Sequence, residues 1–463
     1  MRTFTRMPPF LALTGLCCLL TLTACGGGNA PATGTGGPAA SNANGVVTST
    51  TQSQYVVFAW NDLGMHCLNP TYDTAVILPP YNTVWAQVVK RGNPPQVVTS
   101  GLTVEYRILN NTKSSTKGNF GQFWANVMAL FGATLAPDTG LNLEDPTVNN
   151  GLSGTMLAKG DHFQVNGIPL TPIDDNGVWN PYQVAEVTVK DTGGAVVAQT
   201  RATVPTSDEI HCDKCHQPSS ANNNNAFLDI LQKHDKLHTP PDGLLVPSKP
   251  VLCARCHGAP ELGTTGPGDA GIYLSAAIHK AHATRTAPDG SPIGCYDCHP
   301  GATTQCNRSL AHTAASGNCT TCHGTMRQVA FSVISGGRVP WQSEPKCATC
   351  HGGVAEVDTA DTLYRNAKGH GAVYCAGCHG SPHAMVPSRE ASDNYQALQY
   401  QGVAKSIGSC GGCHSGSRGA GSADFLSNHG ASGETPSACN VCHTGITASD
   451  TSKWPHQYQW HNR

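Results

Sequence analysis

Residues 212–216 read Cys-Asp-Lys-Cys-His, and the pattern Cys-x-x-Cys-His occurs eight times between Cys212 and His443. The first cysteines are Cys212, Cys253, Cys295, Cys319, Cys347, Cys375, Cys410 and Cys439, and the second are Cys215, Cys256, Cys298, Cys322, Cys350, Cys378, Cys413 and Cys442. The histidines are His216, His257, His299, His323, His351, His379, His414 and His443. This is the signature of covalent c-type haem, in which two thiols bond the porphyrin and the histidine ligates iron. Structural zinc, the competing chemistry, takes two Cys-x-x-Cys pairs per tetrahedral site and needs no histidine after the second cysteine. Histidine makes up only 21 of 463 residues, so chance does not place one after every pair. The expected cofactor is haem c, eight groups, covalently bound.

Compartment agrees with that chemistry. Arg2 and Arg6 precede an apolar run from Phe10 to Leu22, which ends in Leu22-Thr-Ala-Cys25. Residues 1–25 therefore read as a lipoprotein-type signal peptide with Cys25 as the lipid acceptor, or as an ordinary cleaved signal. The run is too short to span a bilayer, and no second run of that kind follows. The expected membrane association is a lipid on Cys25 alone, a tether rather than a span. A formal net charge of -2 with no basic stripe excludes nucleic acid as a partner. Charged residues are only 13%, with 51 glycines, a surface composition prone to self-association.

The chain divides by texture. Residues 26–54 are Gly, Ala, Thr, Asn and Ser with almost no large apolar side chain, a flexible linker. Residues 55–204 hold β-branched and aromatic runs between Gly, Pro and Asn turns: Tyr55 to Trp60, Thr83 to Val89, Leu102 to Ile108, Val184 to Val189 and Ala195 to Val204. These predict a β-rich, sandwich-like N-terminal domain. Residues 205–463 form the octahaem cytochrome c domain, mostly coil with short helices packed on the haems; Asn225 to His234 and Leu274 to Ala283 are the credible helices. Apolar side chains there are too few for a core, so the macrocycles are expected to supply it. A body the size of residues 212–443 has a radius of gyration of roughly 17 Å, which spaces eight haem centres at roughly 18 Å. Electrons can hop across such gaps between macrocycle edges.

The sixth iron ligand decides between carrying electrons and doing chemistry. Within the haem region only Met326 and Met385 offer sulfur, whereas eleven histidines lie outside the motifs. Bis-His ligation is therefore expected throughout. The chosen distal ligands are His234, His279, His282, His312, His370, His383, His429 and His456. His312, His370 and His429 shortly precede motifs in Gly- or Ser-containing loops. His279 and His282 form a His-x-x-His pair on a short helix, able to reach two haems. His211, His238 and His461 stand in reserve, and His66 and His162 read as polar residues of the β domain. Two cysteines remain after the haem thiols, the lipid acceptor and the two signal cysteines Cys17 and Cys18: Cys67 and Cys306. They form an inter-domain disulfide in an oxidising compartment, or Cys306 pairs with Cys322 to hold the fourth haem across a fifteen-residue spacer, an attachment resembling that of some multihaem sulfite reductases.

The stretch Tyr55 to Val89, YVVFAWNDLGMHCLNPTYDTAVILPPYNTVWAQVV, followed by eight haem motifs, resembles the OmcZ-type octahaem outer-surface c-type cytochromes of metal-reducing bacteria. The likeness covers essentially the whole mature chain, and this stretch is more specific than the motifs. The resemblance implies extracellular electron transfer to Fe(III) minerals, electrodes or partner cells, a homopolymer that conducts as a filament, and other multihaem cytochromes as partners. It also implies an outer-surface or extracellular location and removal of the N-terminal domain before assembly. The residues themselves show only that Pro205 to Glu209 is a polar junction open to cleavage. A released filament subunit is incompatible with both a retained lipid and a Cys67–Cys306 disulfide.

Three functions compete. The expected one is a non-catalytic conduit of eight c-type haems. An octahaem reductase of nitrite, hydroxylamine or a sulfur oxyanion requires an open iron position, often marked by Lys in place of the motif histidine, and no motif shows that change. A periplasmic electron reservoir that never polymerises is the third.

Overall fold

The computed structural model describes residues 53–219 except 93 and 218, residues 225–238, residues 243–351 except 302, 311 and 313–318, and residues 362–414. The signal peptide, Cys25, nearly all of the linker, Cys439, Cys442, His443, His429, His456 and His461 lie outside the described residues.

Thirteen strands are named among the described residues: β1 (Tyr55–Trp60), β2 (His66–Cys67), β3 (Ala75–Val76), β4 (Asn82–Lys90), β5 (Gln96–Val97), β6 (Leu102–Ile108), β7 (Ser153–Thr155), β8 (Leu157–Lys159), β9 (His162–Ile168), β10 (Val184–Asp191), β11 (Val196–Thr203), β12 (Thr206–Ser207) and β13 (Val251–Leu252). One sheet runs β1-β4-β9-β8, with β5 on β4, and a second runs β11-β10-β6-β7. Val57, Val84 and Val88 of the first sheet share one buried core with Val104, Tyr106 and Val187 of the second. Side chains alternate across a strand, so the sandwich takes one face of each sheet. The strands expected at residues 55–60 and 102–108 appear at those bounds.

The first sheet is covered on its other face as well. Val56, Phe58, Trp60 and Val89 pack with Tyr374, Ala376 and Tyr400 from the cysteine-rich half. This explains why β9 is buried along its whole length and shows no alternation, the pattern of a strand enclosed on both sides. Gly377, inside the sixth motif, fits this contact closely: an added Cβ would lie 3.4 Å from Phe58 Cβ and 3.2 Å from Val373 Cγ1.

The helices are few and short: α1 (Gly121–Phe131), α2 (Ala226–Leu237), α3 (Leu274–His282), α4 (Met326–Ile334) and α5 (Tyr395–Gln401). α1, set inside the β-rich half, buries Phe123, Val127 and Leu130 in a second core shared with Val76, Leu252 and Leu274. Asn225 caps α2 by accepting from the amides of Phe227 and Leu228, which satisfies donors the first turn leaves unpaired. Two parallel pairings, β12 on β2 and β13 on β3, lace residues 206–207 and 251–252 onto the β-rich half. The boundary near residue 205 is thus a change of texture, while described residues on its two sides share cores.

Arg308 joins three stretches. Its side chain is 1% exposed; Nε and Nη2 donate to Asp393 at 2.9 and 3.1 Å, and Nη1 donates to the Gly64 carbonyl at 2.7 Å. The guanidinium also lies over the Tyr182 ring, 5.2 Å from its centre. Removing one partner of a buried pair strands the other charge at a cost of about 3–5 kcal/mol. Arg308→Met should therefore lower the guanidinium unfolding midpoint sharply, and a double Arg308→Met, Asp393→Leu variant should recover much of the loss. An unchanged midpoint in the single variant would show that the pair does not anchor the fold.

Candidate functional site

Each described motif begins a short helical turn at or just after its first cysteine, as at Cys212–Lys214, Cys253–Arg255, Cys295–Asp297, Thr320–His323 and Cys375–His379. The motif-histidine amide closes the turn on the first cysteine carbonyl, at 2.8 Å for His216 and 2.9 Å for both His299 and His323. Positions i, i+3 and i+4 share one face of a helical turn. The spacing of the pattern therefore presents two thiols and one imidazole to the same side.

Five motif histidines each face a second histidine from elsewhere in the chain. The ring centres are separated by 6.3 Å for His216–His282, 6.4 Å for His257–His234, 6.0 Å for His299–His279, 6.1 Å for His323–His383 and 6.1 Å for His414–His370. An imidazole nitrogen binds a first-row metal at about 2 Å and sits about 1 Å from its ring centre, so two rings trans on one metal have centres roughly 6 Å apart. Rings in that position are free to turn about the common axis, and their planes meet here at angles from 21° to 84°.

Many of these rings are held through Nδ1. His216 Nδ1 meets Asp229 Oδ2 at 2.8 Å, His279 donates to the Ser275 carbonyl at 2.7 Å, and His282 donates to the Ile278 carbonyl at 2.8 Å. His257 and His383 reach the carbonyls of Ile272 and Leu63 at 3.2 and 3.3 Å, and His379 meets Ser406 Oγ at 3.0 Å. A proton fixed on Nδ1 leaves the Nε2 lone pair for a metal, the usual support of a ligating histidine. Desolvation lowers the pKa of His216, His234 and His279, and takes His299 and His383 down to about 4. Burial thus favours the neutral ring, the form that coordinates. His299 nevertheless keeps exposed surface, the combination expected of a ring lining a cleft.

The sites are threaded together. α2 carries Asp229, which holds His216, and His234, which faces His257, so it joins the first and second motifs. α3 carries His279 and His282, which face the third and first. Three residues apart on a helix, these two rings address points within roughly 18 Å of each other. His383, four residues after the sixth-motif His379, faces His323 of the fourth. His370, five residues before Cys375, faces His414 of the seventh. Burial pushes the Cys378 thiol up to about 12, with Cys413 adding to it, so the sixth and seventh motifs adjoin. Tyr364, its phenol driven well up by burial and by Cys375, Cys347 and Cys378, joins the fifth to the sixth.

The remaining candidates fall elsewhere. His66 bonds Asp62 at 3.0 Å, and His162 stacks on Trp85 at 4.5 Å and meets the Tyr374 hydroxyl at 3.2 Å. His238 caps the C-terminal end of α2 with its ring 5.2 Å from that of His234, and His211 lies 3.8 Å from Glu209. His312 has interaction partners of its own, although residues 311 and 313–318 around it lie outside the described set. Cys67 and Cys306 are brought into one buried region: Cys67 pairs with Ser207, and Glu209 accepts from the amides of Thr303 and Thr304 at 3.0 and 2.7 Å. Both appear as thiols, and burial pushes Cys306 up to about 12. What the sequence did not reveal is Asp229 and the carbonyl anchors; an acidic residue within a helix bearing a histidine was the available signal.

No known family profile matches the chain. No curated protein matches it either. Among solved structures it aligns with MtrC from Shewanella baltica OS185 at 13% identity, covering 61% of this chain and 45% of that one, with a TM-score of 0.14, a likeness too slight to carry an argument. The chain's own residues decide the chemistry. Paired histidines beside paired cysteines fit haem c. After denaturation with chelator and reductant, maleimide should label only cysteines outside the motifs. Labelling of the motif cysteines would return the argument to zinc.

Proposed function

We propose that this protein is a non-catalytic electron carrier with eight c-type haems, each ligated by two histidines. The observation that carries the reading is the set of five motif histidines facing second histidines at 6.0–6.4 Å. Haem iron so held supplies one-electron transfer between its ferric and ferrous states. The motif cysteines would hold each macrocycle, and each motif histidine would share its iron with a second histidine: His282, His234, His279, His383 and His370 at the first, second, third, fourth and seventh sites. His312, His429 and His456 remain the proposed ligands for the other three. Iron held by two histidines would leave no coordination site for substrate.

The threading links the second site to the first, the first to the third, and the fourth, fifth and seventh to the sixth, and α3 packs on α4, which begins three residues after His323 of the fourth motif; together these support a path in the order second, first, third, fourth, sixth. The proposal extends to exchange with other multihaem cytochromes and with extracellular acceptors such as Fe(III) minerals or electrodes. An outer-surface or extracellular location and assembly into a conductive homopolymer belong to the same reading. No helix among the described residues is long and apolar enough to cross a membrane, and a lipid on Cys25 remains the proposed tether.

Electron paramagnetic resonance of the oxidised protein, with haem counted by pyridine haemochrome, is the direct test. All irons should be low-spin in the parent chain. His282→Ala and His279→Ala should each turn one haem high-spin, those of His216 and His299. Entirely low-spin spectra in both variants would refute the pairing, and a high-spin iron in the parent that turns over nitrite would replace the carrier with a reductase.

A further inference from the structure

Gln87 is a fully buried amide in β4, between Ala86 and Val88. Side chains alternate along a strand, so it shares a face with Trp85 and Val89, the face turned toward Tyr374, Ala376 and Tyr400 of the cysteine-rich half. An amide taken out of water needs partners for its donors and its oxygen. Gln87 has them: Nε2 donates to the carbonyls of Asp161 at 3.2 Å and Ala372 at 3.1 Å, and Oε1 accepts from the Tyr374 amide at 3.1 Å.

Two of those partners belong to the segment that carries His370, whose ring faces that of His414 at 6.1 Å. Residues 368–374 form a tight loop: Lys368 pairs with Tyr374, the Gly369 amide donates to the Val373 carbonyl at 2.8 Å, and Cys375 of the sixth motif follows at once. At its tip Gly371 and Ala372 both take left-handed backbone, with φ of 64° and 63°. Glycine adopts that region freely, whereas a residue with a Cβ stays there only where its surroundings hold it. The β-rich half does the holding. Gln87 grips the Ala372 carbonyl and the Tyr374 amide, Lys368 makes an ion pair with Asp161, and the Tyr374 hydroxyl reaches Asp161 Oδ1 and His162 Nδ1, both at 3.2 Å. Beyond β4 the chain leads on to Gly92, which pairs with His414 in parallel, its amide 3.4 Å from the Cys413 carbonyl. One strand and its continuation thus touch the backbone on both sides of the seventh site.

We propose that Gln87 is a positioning residue for the seventh haem: by holding residues 370–374 in their left-handed turn, it sets His370 opposite His414 and acts through the loop backbone. This rests on the haem reading above. Loss of the side-chain amide would strip the buried Tyr374 amide of its partner and free the tip of the loop to relax. The effect would fall on one haem of the eight, because the loop carries a single distal ring.

Electron paramagnetic resonance of the oxidised, haem-loaded full chain tests this, with haem counted by pyridine haemochrome. His370→Ala marks the seventh haem by turning one iron high-spin. Gln87→Leu, close to the parent in volume, should keep eight haems and convert that same iron, in whole or in part, from low-spin to high-spin. Free imidazole, which can replace a displaced distal ring, should restore the low-spin signal. Ala372→Gly in the Gln87→Leu background should recover part of the parent spectrum, since glycine takes the turn at little cost. Should the leucine variant fail to fold, Gln87→Asn, an amide one methylene too short to span both contacts, should give the same localised change. An unaltered low-spin spectrum in whichever variant folds, or changes spread over several haems, would overturn the role of Gln87, and no recovery with glycine would overturn the part played by the strained tip. A parent chain without haem would overturn the underlying reading instead.

Discussion

Each described Cys-x-x-Cys-His turn presents one imidazole, and a metal held by two histidines would have to take its second from elsewhere, because the residues of the turn all face one way. Five motif histidines meet such a partner from another part of the chain, at ring-centre separations of 6.0–6.4 Å. On the proposed reading, the need to hold both rings of each pair at once shapes the described parts of the cysteine-rich half.

The β sandwich provides the rigid side of this arrangement. Its first sheet is enclosed by the second on one face and by Tyr374, Ala376 and Tyr400 on the other, so the sixth motif is built directly against a strand. Arg308 fixes Asp393 to Gly64 and Tyr182. The cysteine-rich stretch, with little apolar core of its own, is thereby anchored at points where an ordinary core exists. The carbonyl of Leu63, which receives Nδ1 of His383, shows the same dependence at atomic scale: the β-rich half helps to orient a candidate ligand of the fourth site.

Local pattern was legible and partnership was not. Runs rich in β-branched and aromatic residues marked β1 and β6, and helical periodicity marked α2 and α3, because each feature lies within one element. α1 was hidden by its setting among strands and β9 by burial on both faces, which removes the alternation that identifies a strand. The His-x-x-His spacing announced two rings stacked one turn apart on one face of a helix, able to reach two sites. Nothing local announced that those sites were the first and third. Asp229 escaped notice because its partner His216 lies thirteen residues away in another element, and their contact is visible only in the folded chain.

Ligands borrowed between sites change the nature of the assembly. If each distal histidine came from its own motif's segment, the sites would be independent beads, and their separation would follow linker length. Here α2 serves the first and second sites and α3 the first and third, while the segment around the sixth motif reaches the fourth and seventh. A shared helix fixes the distance between two sites by its own rise, about 1.5 Å per residue, so spacing becomes a property of regular secondary structure. Transfer between redox centres weakens steeply with distance, so on the proposed reading the arrangement would make continuity of the path insensitive to the Gly- and Pro-rich loops between motifs. On the proposed reading, those loops can vary in length and sequence while the helices that carry two ligands cannot.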